Sequence, residues 1–324
     1  VDDVTTPREA DRFLGCLLGL AIGDALGMPA ASRDDTTPIA GYEPLRDSHG
    51  AIVEPAGEFT SHTELALCLV ESVVSSNGFV DPDAAGFRFV QVLHGQHAHF
   101  LDPTTRAALE RASETGKYQH GLAGGGAVEP GPAARVVPVG LVHALGKLNV
   151  ELLVREVMRA TLITHADPLA VNGALALAYA VNIVTRREVL PEMLPGEVLA
   201  FIDEDDVARK LRVVGAALSS SDTPGAPGQF VLGDDIASAV ANAIFCFVKH
   251  HHDFQTAVLA AANAGAAVGA MTGALAGAWT GAQALPIPLI EGLEGRMYIL
   301  MAAPALYRTA QRRAGLFLQL HQRP

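Results

Sequence analysis

Glycine recurs at every fourth position in two stretches of this chain: Gly15, Gly19, Gly23 and Gly27 near its start, and Gly265, Gly269, Gly273, Gly277 and Gly281 near its end. That spacing is close to the helical period, so each set lines one face of a helix. A glycine in a helix interior costs about 1 kcal/mol relative to alanine. Repeating the cost along a whole face needs an offsetting gain, and the close approach of another backbone supplies one. The ladders predict two central, tightly packed helices, and leave open whether the two face each other.

Helical signals fill the rest of the sequence. Thr6-Pro7-Arg8-Glu9 fits a capping box, and apolar residues follow at the helical period from Phe13 to Ala25. Apolar stripes predict further helices over Glu64–Ser76, Pro82–Gln96, Thr104–Thr115, Ala133–Leu145, Glu151–Thr164, Pro168–Arg187, Asp205–Leu218 and Asp234–Lys249. Others are predicted from Phe254 onward and over Ala303–Leu320. No sustained strand alternation occurs. The glycine- or proline-rich loops, Gly121–Pro132 and Ser219–Gly228, are flanked by helices of one character, so a single all-α domain is expected. Residues are 49% hydrophobic but only 6% aromatic, so small aliphatic side chains must fill the core and helices must pack closely.

A formal charge of −12 argues against nucleic-acid or anionic-membrane partners. Cys16, Cys68 and Cys246 each sit in an apolar run, the pattern of buried thiols in a reducing compartment, and a cytoplasmic location is expected. The stretch from Phe254 to Ile290 has the length of a membrane span, but it is mostly Ala and Gly, and Asn263, Thr272 and Gln283 interrupt it. A buried bundle helix accounts for it better, so no membrane partner is expected.

Several segments, in order over about residues 12–300, carry a family pattern. They are Gly15-Cys-Leu-Leu-Gly-Leu-Ala-Ile-Gly-Asp-Ala-Leu-Gly-Met-Pro29, Phe59-Thr-Ser-His-Thr-Glu-Leu-Ala-Leu67, Pro132-Ala-Ala-Arg135-Val-Val-Pro138-Val-Gly140-Leu, Thr164-His-Ala-Asp-Pro168, and the second glycine ladder. Together they resemble the ADP-ribosylglycohydrolase family, whose fold is a single-domain all-α bundle with its cleft at one end. The resemblance implies cleavage of a glycosidic bond at ADP-ribose with a pair of Mg²⁺ ions. Such ions need converging carboxylates. At the family's ligand stations this chain carries Ala31 (or, with a one-residue slip, Ala30 or Ser32), then Ser61 and His62 after Thr60, and then Ala264, Ala266 and Ala267. No Asp or Glu occurs between Phe254 and Ile290, so a dinuclear magnesium centre is not expected, and no other cofactor is implied.

Two functions of different class follow. One is a non-hydrolytic homologue, a pseudoenzyme binding an ADP-ribose-like or other small ligand, or a protein partner, in the inherited cleft. The other is a repurposed, metal-independent enzyme with His62 and Asp24 as acid–base groups. By the resemblance, candidate ligand-binding residues are Thr60, Ser61, Gly124, Gly125, Gly126, Gly131, Arg135 and His165. Plainer readings stand beside these: Ser61 and Glu64 fit a capping box, Asp167 fits a cap for the helix begun by Pro168, and His250 to His252 fit a solvated helix end. Glu129, Pro130 and Pro132 in the glycine-rich loop oppose phosphate binding, by charge and by removing N–H donors.

Overall fold

The computed structural model describes residues 8–33, 37–119, 121–122, 128–219 and 233–321. The architecture is all-α, with one small hairpin among the described residues. Helix α1 (Glu9–Gly27) is followed by strands β1 (Leu45–Arg46) and β2 (Ile52–Glu54), which pair antiparallel. Then come α2 (Ser61–Ser75), α3 (Pro82–Val92), α4 (Pro103–Thr115), α5 (Gly131–Arg135), α6 (Val137–Val142), α7 (Val150–Thr161) and α8 (Pro168–Arg186). The second half holds α9 (Leu194–Phe201), α10 (Asp206–Ser219), α11 (Ile236–His250), α12 (Phe254–Ala262), α13 (Ala266–Thr280), α14 (Ile287–Glu291) and α15 (Arg296–His321).

The two glycine ladders face each other. A Cβ on Gly15, Gly19 or Gly23 would lie 2.3, 2.0 or 1.9 Å from the carbonyl oxygen of Gly277, Gly273 or Gly269, and the reverse contacts are as short. Backbone therefore meets backbone along the α1–α13 seam, and this close packing offsets the intrinsic cost of the glycines. Both helices are enclosed by the others: from Phe13 to Leu26 nearly every α1 side chain is buried, as are Ala267 to Ala278 of α13. By length and apolar content α1 and α8 could each cross a bilayer, yet their most apolar windows are 89% and 72% buried within the bundle. The 254–290 stretch is divided between α12, α13 and α14 by turns at Asn263–Gly265 and Gly281–Pro286.

Several expected boundaries move. The first helix starts at Glu9 with Arg8 at its N-cap position, and Thr6 lies outside the described residues. The expected helix over Ala133–Leu145 is broken at Val136, because Pro138 has no N–H to continue the ladder. The closing helix begins at Arg296, ahead of Ala303, and runs through Pro304; buried Ile299, Ala303 and Leu306 pack it against the core and offset that interruption. The histidine run is not a fully solvated end, since His251 is 8% exposed, bonds the Val248 carbonyl through Nδ1 at 2.7 Å and faces Trp279.

A buried ionic group ties three helices together. Glu156 of α7 accepts from His143 Nε2 at 2.8 Å and from Arg313 Nη1 of α15 at 3.0 Å, beside the end of α6. The free thiols of Cys16 and Cys246 are buried and that of Cys68 half-buried; burial pushes the latter two up to about 12, so all three act as packing groups at neutral pH.

Candidate ligand cleft

The end of α1, the start of α2 and the start of α13 converge on an open cleft of about 870 Å³. Gly27, Met28, Thr60, His62, Asn263, Ala264, Gly265 and Ala266 line it, with His99, Phe100 and Asp234 among the residues of its walls. Asn263 is itself fixed, accepting from Ile39 N at 3.0 Å and donating to Leu259 O at 2.8 Å.

Asp24 sets the geometry from beneath. Its carboxylate is fully buried and accepts from Thr60 N at 3.1 Å, Thr60 Oγ1 at 2.7 Å, Thr63 N at 3.0 Å and Thr63 Oγ1 at 2.6 Å. These bonds lock α1 to the first turn of α2 and commit Asp24 to holding that turn. Among the described residues no hydrogen bond joins it to His62, so the expected acid–base pair is not assembled. The α2 cap also differs from the expected capping box. Thr60, oriented by Asp24, accepts from His62 N at 3.2 Å, while Ser61 Oγ donates to the Phe100 carbonyl at 3.0 Å. Glu64 bonds His97 Nδ1 at 3.0 Å instead of reaching back to Ser61. His62 is half-buried against the cleft, and its imidazole makes no hydrogen bond among the described residues.

The floor of the cleft is the start of α13. Gly265, at φ +107°, precedes it; no side chain caps the helix, and nothing lies within 4 Å of where a Gly265 Cβ would sit. The start of α13 thus meets the cleft through Gly265 and Ala266, with Ala264 beside them and no carboxylate among the three. Asp234 is the one acidic residue lining the cleft among those described. With Asp24 spent on Thr60 and Thr63 and Ser61 turned to Phe100, the residues present do not fit a pair of magnesium ions.

A second polar cluster borders the His62 wall; the sequence singled out its Gly131, Glu129, Arg135 and His165 but not Asp102. A Cβ on Gly131, the first residue of α5, would lie 3.1 Å from Asp102 Oδ2 and 3.9 Å from the His62 ring. Asp102 caps α4 and accepts from Thr105 N and Thr105 Oγ1; Glu129 accepts from Thr104 Oγ1 at 2.9 Å. Both carboxylates approach His165 Nε2, Glu129 at 3.4 Å and Asp102 at 3.9 Å. Among the described residues the α13 floor therefore carries no carboxylate, whereas this neighbouring wall carries two. Behind it, fully buried Arg135 donates to Thr164 Oγ1, lies 3.3 Å from His165 Nδ1 and packs over the Phe89 ring, its Nε and Nη1 making no hydrogen bond among the described residues. Burial pulls Arg135 down to about 10 despite Asp102. Burial and then the Arg135 cation bring His165 down to about 4 against the opposing pull of the two carboxylates, so the ring is neutral at pH 7. Arg135 and His165 thus sit behind the wall and not among the residues lining the cleft. Asp167 caps α8 as expected, accepting from Leu169 N at 2.8 Å. Gly124, Gly125 and Gly126 lie outside the described residues.

Fold and cleft together define an all-α protein with an open cleft at the end of a glycine-packed helix pair. The chain belongs to the ADP-ribosylglycohydrolase family, whose sequence profile matches residues 5–315. It is 30% identical over 313 residues to an uncharacterized protein of Archaeoglobus fulgidus, covering 93% of this chain and 98% of that one. It is 26% identical to the human ADP-ribosylhydrolase ARH3, covering 75% of this chain and 74% of the relative. A solved structure described as an ADP-ribosylglycohydrolase-related protein complex superposes with a TM-score of 0.70 at 27% identity, over 93% of this chain and 99% of that one.

Proposed function

We propose that this chain is a magnesium-independent member of its family, a pseudoenzyme whose cleft binds an anionic, ADP-ribose-like small ligand. The observation that carries the reading is the uncapped N-terminus of α13 at the cleft floor, flanked by Ala264 and Ala266. A helix N-terminus presents free N–H donors and about half a positive charge, which suits phosphate once neighbouring carboxylates are gone. Relatives named as ADP-ribosylhydrolases point to the ADP-ribose class of ligand. The alternative, a metal-independent enzyme, draws on His62 lining the cleft. A general base also needs its tautomer fixed by a second group, and the His62 ring has no such partner among the described residues.

The test is calorimetric titration of ADP-ribose with chelator and with Mg²⁺, beside an assay for release of ADP-ribose from an ADP-ribosylated protein. Saturable binding of equal strength in both buffers, without Mg²⁺-dependent release, is the expected result. Ala266→Asp, which places a carboxylate at the α13 start, should weaken that binding. Mg²⁺-stimulated release, or a saturable rise in melting temperature with Mg²⁺ alone, overturns the reading.

A further inference from the structure

Asp102, Glu129 and His165 bring three ligand atoms, a carboxylate oxygen from each acid and an imidazole nitrogen, within 4.8 Å of one another. None of the three stands at a position where the family resemblance puts a magnesium ligand. We propose that they form a site for one divalent transition-metal ion of the Zn²⁺ class, at the edge of the ligand cleft.

The first support is His165 Nε2. It is buried, makes no hydrogen bond and points at two carboxylates, 3.4 Å from Glu129 Oε2 and 3.9 Å from Asp102 Oδ1. With its proton on Nδ1, the ring turns an Nε2 lone pair toward two anionic oxygens, and a cation between them satisfies all three. Zn–N and Zn–O bonds of about 2.0–2.2 Å in a tetrahedron put neighbouring ligand atoms about 3.3–3.5 Å apart. The His165–Glu129 separation already matches that spacing, and the three atoms, within 4.8 Å of one another, would draw together for Asp102 to join.

The second support is the surrounding shell. Thr104 and Thr105 hold the two carboxylates, and in that tautomer Thr164 Oγ1, 2.9 Å from His165 Nδ1, accepts its N–H, while Arg135 Nη2 lies 3.3 Å from the same nitrogen. Metal-bound histidines ordinarily donate their second ring nitrogen in this way. One imidazole with two carboxylates suits Zn²⁺, whereas Mg²⁺ takes oxygen ligands and keeps its waters. The carboxylate side chains are 18% and 26% exposed, so an ion can enter and keep a position open to solvent. The competing occupant of the same space is a proton on Nε2, shared with Glu129.

The experiment titrates chelator-stripped protein with Zn²⁺ by calorimetry and by thermal melting, in wild type, Glu129→Gln and Asp102→Asn. Both substitutions remove a charge; glutamine keeps an oxygen for Thr104, and asparagine keeps one for the Thr105 N–H and remains a good helix cap. Expected are one equivalent of Zn²⁺, a raised melting temperature and no effect of Mg²⁺. Each variant should lose roughly 10–100-fold in affinity or more, as substitutions around metal sites do. No saturable binding to wild type, or undiminished binding by both variants, overturns the proposal; the latter would assign the ion to histidines elsewhere. No nucleotide enters the titration, so its outcome is independent of whether ADP-ribose binds.

Discussion

Gly19 and Gly273 touch backbone to backbone: a Cβ on Gly19 would sit 2.0 Å from the Gly273 carbonyl oxygen and 2.8 Å from its carbon. Neither atom can move without shifting a central helix, because both α1 and α13 are buried along their length. Gly19→Ala should therefore destabilise the protein by about 3 kcal/mol or more, the upper range for overpacking. Gly215, inside α10 with nothing within 4 Å of its would-be Cβ, is the control. Gly215→Ala should leave stability unchanged or raise it by about 0.4–1 kcal/mol. Denaturant unfolding of both variants checks the pair; equal effects would remove the close-approach account of the ladders.

That seam was legible because its signal is local and periodic, needing only the four-residue spacing. The Thr60 cap was not: it depends on the Asp24 carboxylate, contributed by another helix, and the sequence around Ser61 offers an equally good local cap. The hairpin of Leu45–Arg46 with Ile52–Glu54 is too short for strand alternation to register. His62 stood out only through the family pattern, and the structure does place it on the cleft. Asp102 carries no local signal beyond that of a residue before Pro103, and its meeting with Glu129 and His165 is a product of tertiary packing.

Asp24→Asn tests how the cleft is held. The Asp24 carboxylate accepts from two N–H groups and two hydroxyls, and an amide would turn an NH₂ group toward some of those donors. Hydrogen bonds to a charged group are worth about 1.5–3 kcal/mol each, and a buried donor left unpaired costs about 1–3 kcal/mol. A loss of about 2–4 kcal/mol in urea unfolding is expected on that basis, together with weaker ADP-ribose binding as the α2 start loosens. Wild-type stability would mean that α2 is positioned by its apolar face alone.

His143 gives stability a pH dependence of definite sign. Burial lowers its pKa, and Arg313 adds to the effect, against the pull of Glu156. Below an unfolded value of about 6.5, the unfolded chain binds a proton that the folded state resists, so stability falls as pH drops below that value. Melting temperature should decline on acidification through this range, and less steeply in His143→Gln, which does not titrate. A parallel decline in the variant would assign the effect to other groups, such as His165, which is also depressed.

His62 separates the two readings of the cleft. Its ring lines the cavity near Gly131 but is not hydrogen-bonded among the described residues, and Asp24 is committed to Thr60 and Thr63. A positioned general base contributes about 10²–10⁴-fold to a rate, and an unsupported imidazole has no fixed tautomer with which to do so. The binding reading expects His62→Ala to fold with nearly wild-type stability, because the N-cap of α2 is Thr60 and its acceptor role uses the backbone N–H of residue 62. ADP-ribose affinity should fall by about tenfold or less, the loss of one polar contact of about 0.5–1.5 kcal/mol. Metal-free turnover of any ADP-ribosylated substrate by the wild type, abolished in His62→Ala while binding survives, would reverse the assignment and make the cleft catalytic.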